Sequence, residues 1–391
     1  MSDKDNCIMA KNDVYGIGKL LKGFSGGDIT ADFLSNESIS NVEEYIDTGN
    51  YALNAILSGS VFGGVPVSRV TGFAGPTGSC KTFVLLKIVS NAQKKGMPVF
   101  YFDSENAVDE LSARRLGCDI DNLVHITAIT VEQVQEQSAK ILNHFRDLNN
   151  EIIEYNKTHE DKKDIIHPLI VIDSVGNLLT KKELSNSIDG NIAADQGLRA
   201  KTIGTMLRVL TNLAAATRST VCFSNHTYGS PGEMYPSLVK NQSGGSKVLY
   251  LASVLVQMSQ VLDRTKDNAD AQKSSLSAKT VGRKIHVMTV KNRFIVGELE
   301  CEMRLNYKSG IDVYSGLADI AIASGYVVRE GLTYYIKDSG EKIGKMSAFD
   351  NSDFWASHLA ELDAVVKRET ELSNVADMKE NEDESGKQSE V

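Results

Sequence analysis

Gly75-Pro76-Thr77-Gly78-Ser79-Cys80-Lys81-Thr82 is a glycine-rich octapeptide, and the architecture of the chain can be predicted outward from it. An apolar, strand-like run from Ser68 to Ala74 precedes it, and apolar residues at helical spacing follow it as far as Gly96. A strand, a glycine-rich turn and a helix in this order are the setting of a phosphate-binding loop. Backbone N–H groups of the turn and the positive end of the helix then hold the phosphates of a nucleotide.

The chemistry expected of this loop depends on its last three residues. Lys81 can reach the β- and γ-phosphates, and the Thr82 hydroxyl can bind Mg²⁺. Cys80 stands where glycine is usual, so its side chain must fit the backbone angles of the loop without blocking the phosphate. The alternative is a glycine-rich helix start without a ligand. The predicted nucleotide-binding set is Gly75, Pro76, Thr77, Gly78, Ser79, Cys80, Lys81 and Thr82.

The composition is that of a soluble globular protein with one large α/β core and smaller appendages. The chain has 391 residues, of which 41% are hydrophobic, and a net charge of −9 from 42 basic and 51 acidic residues. We expect neither a membrane-spanning segment nor a secretory leader, because no apolar run is long enough and the start is polar. Five cysteines without CxxC spacing indicate a reducing compartment, which we expect to be the cytoplasm.

Composition also divides the chain into four predicted segments. Residues 1–47 form a polar arm and linker, 48–308 the core, 309–370 a small lobe and 371–391 an acidic tail. The tail is predicted to be disordered and solvated, since acidic residues dominate it. The alternative is that it mimics a polyanion and competes for a basic groove.

Two apolar strands end in acidic residues. Val99–Asp103 leads to Glu105, and the apolar run at 168–174 has Asp173 near its end. In a parallel sheet the carboxyl ends of the strands form the ligand edge, so both acids are expected near the phosphates. Glu105 can there deprotonate an attacking water, and Asp173 can hold Mg²⁺ through its water shell. The alternatives are a helix N-terminal charge for Glu105 and a mere strand end for Asp173.

Hydrophobic periodicity predicts the remaining elements. The segments 149–164, 181–196 and 227–246 are predicted to be polar surface or loop, and 265–280 a hairpin tip. The predicted helices are at 131–148, 198–216 and 353–372. The predicted strands are at 220–225, which ends at His226, at 248–258 and at 284–291, and a hairpin is predicted at 327–343.

In this order the motifs resemble the RecA family of recombinases, and they look closest to its UvsX type, which phages carry. The resemblance runs from about Tyr45 to about Lys345 and includes Asn225-His226 and Val290 to Arg293. It implies an α/β fold, a RecA-like P-loop ATPase core whose central, mostly parallel sheet is flanked by helices. An N-terminal arm and a small C-terminal α+β lobe complete the implied architecture, and residues 310–326 resemble the helix of that lobe.

The resemblance also implies roles for single residues at the nucleotide site. Glu105 matches the general base of the family, and Asp109 matches a residue near the adenine. Ser112 stands where the family often has an aromatic side chain that stacks on the adenine. His226 matches the residue that senses the γ-phosphate, although a histidine alone would more often be a surface or core residue.

Lys291 and Arg293 match two cations that reach the ATP site of the neighbouring subunit. Such cations stabilise charge on the transferring phosphoryl group. On composition alone, Lys291-Asn292-Arg293 would be a solvated turn.

The family binds single-stranded DNA through two mobile loops, which correspond here to 181–196 and 228–247. Glycines permit close approach of the backbone, lysines can contact phosphates and tyrosines can contact bases. Such phosphate contacts carry no sequence specificity, and they weaken as salt rises. The predicted DNA-binding residues are Lys201, Arg208, Tyr228, Tyr235, Lys240, Gly244, Gly245 and Lys247.

The implied activity is ATP-dependent strand exchange, with ATP and Mg²⁺ at protomer interfaces of a helical filament. The implied partners are single-stranded DNA, homologous double-stranded DNA and, further, single-strand-binding and loader proteins. If the chain is phage-encoded, the expected compartment is the bacterial cytoplasm during infection. Two alternatives stay open, a ring helicase on the same fold and a mediator that binds DNA without hydrolysing ATP.

Overall fold

The computed structural model describes residues 42, 44–190, 196–228, 239–263, 282–307 and 309–371. Apart from Val42, these residues lie in one compact unit that begins at Glu44. Most of the predicted arm, Tyr235, the hairpin tip at 265–280 and the tail beyond 371 lie outside the described residues. The division of the chain into four segments therefore stays a prediction.

The α-helices of the described residues begin at or near the predicted positions in most cases. They are α1 Tyr51–Ser58, α2 Lys81–Lys94, α3 Glu110–Arg115, α4 Val131–Thr158, α5 Lys181–Ile188, α6 Gln196–Ala216, α7 Ser246–Leu251, α8 Leu317–Ala323 and α9 Ser352–Thr370.

The strands of the described residues form a large central sheet and two small ones. They are β1 Tyr45–Ile46, β2 Val65–Pro66, β3 Val70–Gly75, β4 Val99–Asp103, β5 Leu123–Thr127, β6 Leu169–Asp173, β7 Thr220–Tyr228, β8 Asn241–Gln242, β9 Val254–Asp263, β10 Gly282–Asn292, β11 Glu300–Asn306, β12 Gly310–Ile311, β13 Val327–Glu330, β14 Thr333–Ile336 and β15 Lys342–Gly344.

The central sheet is mixed but mostly parallel, as predicted. Its order is β12-β11-β10-β9-β3-β7-β6-β4-β5. The run from β9 to β5 is parallel, whereas β10, β11 and β12 extend it in antiparallel pairs. In register, Gly75 lies beside His226, and Asp103 lies beside Asp173. Four motifs that are distant in sequence therefore meet at one edge of the sheet.

Helices cover both faces of this sheet, and each face has its own apolar core. On β7, Cys222 packs in one core and Phe223 in the other, because successive side chains of a strand point to opposite faces. Leu53 of α1 and Leu85 of α2 belong to the first core, together with residues of α8 and α9. Leu142 of α4 and residues of α6 belong to the second. Burial on two faces explains why the central strands are continuously apolar.

Several predictions of secondary structure were wrong in part. The segment from Lys181 is helical to Ile188 because Thr180 and Glu183 form a capping box that starts α5. Residues 248–251 belong to helix α7 and not to a strand, and the strand begins only at Val254. Helix α4 continues to Thr158 through a segment predicted as polar surface. Strand β7 runs two residues past His226.

The residues that follow β12 pack against the same unit. The hairpin predicted at 327–343 is present and gains a third strand, β15. Buried Trp355 of α9 donates its Nε1–H to the carbonyl of Phe349 at 2.8 Å. Asp363 of α9 accepts from the Ser60 hydroxyl at 2.6 Å, which fixes the helix to the turn after α1. None of the helices in the described parts of the chain is long and apolar enough to cross a membrane.

Candidate nucleotide-binding and catalytic site

A cavity of about 380 Å³ lies where β3, β4, β6 and β7 end. The sheet brings the predicted phosphate loop, general base and metal ligand to this one cavity. It is lined, among others, by Cys80, Lys81, Thr82, Glu105, Asp173 and His226. The lining also includes Leu305 and Tyr307 beyond β10, which sequence reasoning did not identify.

Lys81 is folded back onto its own loop. Its Nζ donates to the carbonyl oxygens of Gly75 at 2.9 Å and Pro76 at 3.0 Å, and the residue is only 7% exposed. Burial lowers the pKa of its ammonium group, while the carboxylates of Asp173 and Glu105 oppose that shift. The neutral carbonyl oxygens that accept from this ammonium group leave much of its positive charge uncompensated. A polyphosphate that enters the loop would therefore bind to it strongly.

Asp173 is the acceptor for three hydroxyl groups at the end of β6. Thr82 Oγ1 donates to its Oδ2 at 2.7 Å, Tyr101 donates to the same oxygen at 2.8 Å, and Ser224 donates to Oδ1. Burial, with the charge of Asp173 next, raises the pKa of Tyr101 well above its usual value, so Tyr101 stays a donor. The carboxylate is thereby fixed against the Thr82 hydroxyl.

The pair formed by Thr82 and Asp173 fits Mg²⁺. Mg²⁺ takes oxygen ligands, usually one or two protein groups together with waters and substrate phosphates. The described residues contain no group of three or more His, Cys, Asp or Glu side chains that could hold a metal ion by themselves. A hydroxyl–carboxylate pair beside a phosphate loop is an arrangement that suits this ion.

The carboxylate of Glu105 is held by two side chains, one that directly follows β6 and one near the end of β7. The Ser174 hydroxyl donates to Oε1 at 2.5 Å, and His226 Nε2 lies 2.8 Å from the same oxygen. Burial alone would raise the pKa of Glu105, but these hydrogen bonds and the charges of His226 and Lys81 outweigh it and lower the pKa. Glu105 is therefore an ionised carboxylate at the mouth of the phosphate loop.

Ser104 ties the residues before Glu105 to the neighbouring strand. Its hydroxyl donates to the carbonyl of Ser174 at 2.8 Å, and the Ser174 N–H donates back to that hydroxyl at 2.9 Å. Asn177 donates its amide to the carbonyl of Ser104 at 2.6 Å. The ends of β4 and β6 are thus joined through side chains as well as through the sheet.

Asp109 does not reach the cavity. It is exposed and caps α3, accepting the Ser112 N–H at 2.9 Å and the Ser112 hydroxyl at 2.6 Å. These two hydrogen bonds lower its pKa. Ser112 itself lines the cavity, at the position where the resemblance implies an aromatic ring.

Cys80 adopts the left-handed conformation that glycine favours, with φ 65° and ψ 23°. Burial raises the pKa of its thiol, although the positive charges of Arg283 and Lys81 act against it. Arg283 of β10 donates to the carbonyl of Gly78 at 3.0 Å and to the Tyr307 hydroxyl at 2.5 Å. Sequence reasoning missed Arg283, because β10 reaches the loop only through the antiparallel half of the sheet.

Lys291 and Arg293 converge on a single backbone carbonyl outside this cavity. Lys291 Nζ lies 2.6 Å and Arg293 Nη2 3.2 Å from the carbonyl oxygen of Tyr250 in α7. Burial, and then the charge of Arg293, lower the pKa of Lys291 to about 8. Asn292 between them donates to the carbonyls of Ile56 and Leu57 at the end of α1.

Three of the predicted DNA-binding cations lie close together. Lys201 and Arg208 are exposed on α6, two turns apart. Gly204 lies between them, and a Cβ added to it would be 2.6 Å from Cδ of Lys247. The side chain of Lys247 on α7 therefore lies directly against α6 at Gly204. A residue with a side chain at position 204 would crowd it.

The other predicted DNA-binding residues that the structure describes lie at the base of the second loop. Gly244 and Gly245 have positive φ angles of 88° and 65°, and a Cβ on Gly244 would meet Val248 at 2.7 Å. Tyr228 shares a hydrogen bond with the Ser243 hydroxyl, and the N–H of Lys240 donates to Gln257 at 2.8 Å. Tyr235 lies outside the described residues.

Comparison with known proteins gives one consistent result. The family model described as the RecA N-terminal domain matches residues 15–312. Protein RecA of Heliobacterium modesticaldum is 28% identical over 380 residues, which cover 96% of this chain and 97% of that protein. Protein RecA of Streptomyces coelicolor is 30% identical over 303 residues, which cover 77% of this chain and 70% of that protein. The matched region includes every residue of the cavity.

Proposed function

This chain belongs to the RecA family of ATP-dependent DNA recombination and repair proteins, and on that premise we propose that it polymerises on single-stranded DNA and exchanges strands with homologous duplex. The observation that carries the proposal is the meeting of Lys81, Thr82, Glu105, Asp173 and His226 around one cavity. A P-loop, a base, a metal-binding pair and a polar residue on the adjoining strand are the groups expected in a protein that is driven by nucleotide hydrolysis.

ATP is the proposed substrate, and the loop from Gly75 to Thr82 binds its phosphates. Lys81 exchanges the carbonyls of Gly75 and Pro76 for phosphate oxygens, because a polyanion is the stronger partner. Thr82 and Asp173 would hold Mg²⁺, which neutralises phosphate charge when bound.

Glu105 acts as the general base in the proposed reaction. Its ionised carboxylate accepts a proton from the attacking water as the water's oxygen bonds to the γ-phosphorus and the bond to the leaving oxygen breaks. Nε2 of His226 contacts Oε1 of Glu105, so movement of His226 toward the γ-phosphate would also move the base. This link supports a role for His226 in sensing the nucleotide.

Lys291 and Arg293 are proposed to complete the site of a neighbouring protomer. They do not line the cavity of their own chain, and both are held by the exposed segment around Tyr250. Cations supplied in trans would make turnover depend on assembly, because they stabilise charge on the transferring phosphoryl group.

Single-stranded DNA is proposed to lie along Lys201, Arg208 and Lys247, with the second loop beside it. The clustering of these cations on α6 and α7 supports the proposal. Phosphate contacts of this kind bind any sequence, so homology would be tested by base pairing alone. Further proposals from the resemblance are a UvsX-type subclass, single-strand-binding and loader proteins as partners, and a cytoplasmic location.

The deciding experiment measures ATP turnover with and without single-stranded DNA at two salt concentrations. Strong stimulation that fades at high salt supports an ATPase gated by DNA, since counterion release weakens phosphate contacts. Electron microscopy of the same samples then separates open filaments from the closed rings of a helicase. Nucleotide binding without turnover under every condition would instead indicate a mediator, and Cys80 is the structural feature that favours this second candidate.

A further inference from the structure

The carboxylate of Asp103 lies beneath the loop that carries Glu105. Asp103 ends β4 and is 1% exposed. Its Oδ1 accepts the N–H of Glu105 at 3.0 Å and of Ala107 at 3.4 Å, and its Oδ2 accepts the N–H of Val108 at 3.2 Å. The loop between β4 and α3 is therefore wrapped around one buried side chain.

A side chain from the edge strand of the sheet also contacts Asp103. Nε2 of His125 on β5 lies 3.2 Å from Oδ2 of Asp103. The ring of His125 stacks over Tyr101 at 6.5 Å between centroids, and its side chain is 41% exposed. In addition to its backbone pairing with β4, strand β5 is thus connected to the loop of Glu105 through the side chain of Asp103.

These contacts constrain Glu105 at its backbone end. Asn106, the next residue, has a positive φ of 51°, a left-handed turn that asparagine tolerates better than most residues with a side chain. At the other end, the carboxylate of Glu105 is bound by Ser174 and His226. A base must lie within hydrogen-bond reach of the water it deprotonates, so both ends need to be fixed.

We propose that Asp103 is a positioning residue for Glu105, and that His125 is its side-chain partner from β5. The inference deepens the proposed ATPase function and rests on it. Both carboxyl oxygens of Asp103 are bound, by N–H groups of the loop and by Nε2 of His125, and Asp103 does not line the cavity. Asp103 therefore acts through Glu105. Its loss would displace the base while leaving the phosphate loop, a separate segment, in place.

The test is Asp103→Asn, which keeps the size of the side chain but replaces one acceptor oxygen with a donor. We expect the turnover number for DNA-stimulated ATP hydrolysis to fall by about 10-fold or more, as for a displaced general base. The Kd for a fluorescent ATP analogue should stay within about threefold, because the phosphate loop is unchanged. Asp119→Asn is the matched control, since Asp119 accepts the N–H of Asp121 at 3.1 Å before β5 and does not line the cavity.

A double variant separates positioning from a general structural role. If Asp103 acts through Glu105, Asp103→Asn combined with Glu105→Gln should turn over no more slowly than Glu105→Gln alone. Multiplied losses in the double variant would overturn the proposal, and so would wild-type turnover in Asp103→Asn. His125→Gln, which keeps a nitrogen donor, should retain more turnover than His125→Ala.

Amide hydrogen exchange supplies a readout that needs no ATPase activity. The N–H groups of Glu105, Ala107 and Val108 should exchange faster in Asp103→Asn, while those of β3 should be unchanged. Unchanged exchange at these three amides overturns the positioning role. Absence of ATP turnover in the wild-type protein would instead count against the proposed function alone, because this exchange measurement would still decide how Asp103 holds the loop.

Discussion

Oε1 of Glu105 lies 2.8 Å from Nε2 of His226, although the two residues are 121 positions apart in the chain. Glu105 follows β4 and His226 lies near the end of β7, with β6 between them in the sheet. The contact joins the proposed base to the strand that leads into the second proposed DNA loop. If the proposed function holds, this contact would link nucleotide state to DNA binding.

Removing the Lys81 ammonium group should abolish turnover. In Lys81→Ala we expect the turnover number to fall by about 100-fold or more, because a preorganised cation at the phosphates is lost. The measurement is steady-state ATP hydrolysis with saturating single-stranded DNA. Lys140→Ala, on the exposed face of α4 where Lys140 pairs with Glu136 at 2.8 Å, is the control. Near-normal hydrolysis in Lys81→Ala would refute the site assignment.

Glu105→Gln should bind ATP but hydrolyse it about 100-fold or more slowly, because the amide cannot accept the proton of water. The pKa of Glu105 is lowered from its usual value of 4.5, so the carboxylate is ionised at neutral pH. Loss of turnover through its protonation is therefore expected only as the pH falls below about 4.5. A pH–rate profile and a binding titration check both statements, and loss of ATP binding in the variant would indicate a structural role.

Cys80→Gly should stabilise the protein without loss of turnover. A Cβ in the left-handed region costs energy that glycine avoids, so we expect a gain of up to about 1 kcal/mol in the free energy of unfolding. Thermal melting and ATP hydrolysis are the measurements. Arg218→Gly is the matched control, since Arg218 also has a positive φ of 53° but follows α6. A gain in melting temperature for the control alone would show that Cys80 is not strained.

Lys291 should react unusually fast with an amine-modifying reagent in the unassembled protein. Its pKa of about 8 leaves much of the amine neutral at pH 8, so labelling should exceed that of a model lysine peptide by about 10-fold or more. Adding ATP and single-stranded DNA should slow the reaction, because a neighbouring phosphate favours the ammonium form. The labelling rate is measured by mass spectrometry. A rate that does not change when ATP and single-stranded DNA are added would argue against a role in trans.

Lys201→Ala, Arg208→Ala and Lys247→Ala should each weaken binding of single-stranded DNA. Each should also lower the slope of log affinity against log salt by about 0.7, the value for one phosphate contact on a single strand. Fluorescence anisotropy with oligonucleotides of two different sequences measures both quantities. Equal losses on the two sequences are expected, and a loss confined to one of them would mean that these residues read bases.

Much of the fold could be predicted from local patterns. The phosphate loop, the strands that end at Asp103 and Asp173, and helix α6 were predicted because their residues share a run or a period. Strand β5 was not, because it lies at the edge of the sheet and alternates weakly between buried and exposed positions. Residues 248–251 are predicted as strand but belong to helix α7, since a short apolar run is ambiguous between the two.

The sequence by itself contains the order of the motifs and the residue types needed at a nucleotide site, because both depend on neighbours along the chain. The pairing of Glu105 with His226, the three hydroxyl donors on Asp173 and the approach of Arg283 to Gly78 depend on strand order. Strand order is set by packing two apolar cores on opposite faces of the sheet, which no local pattern encodes. Asp109 is the contrasting case, since its side chain caps α3 through Ser112, three residues along the chain, and this local contact holds it outside the cavity.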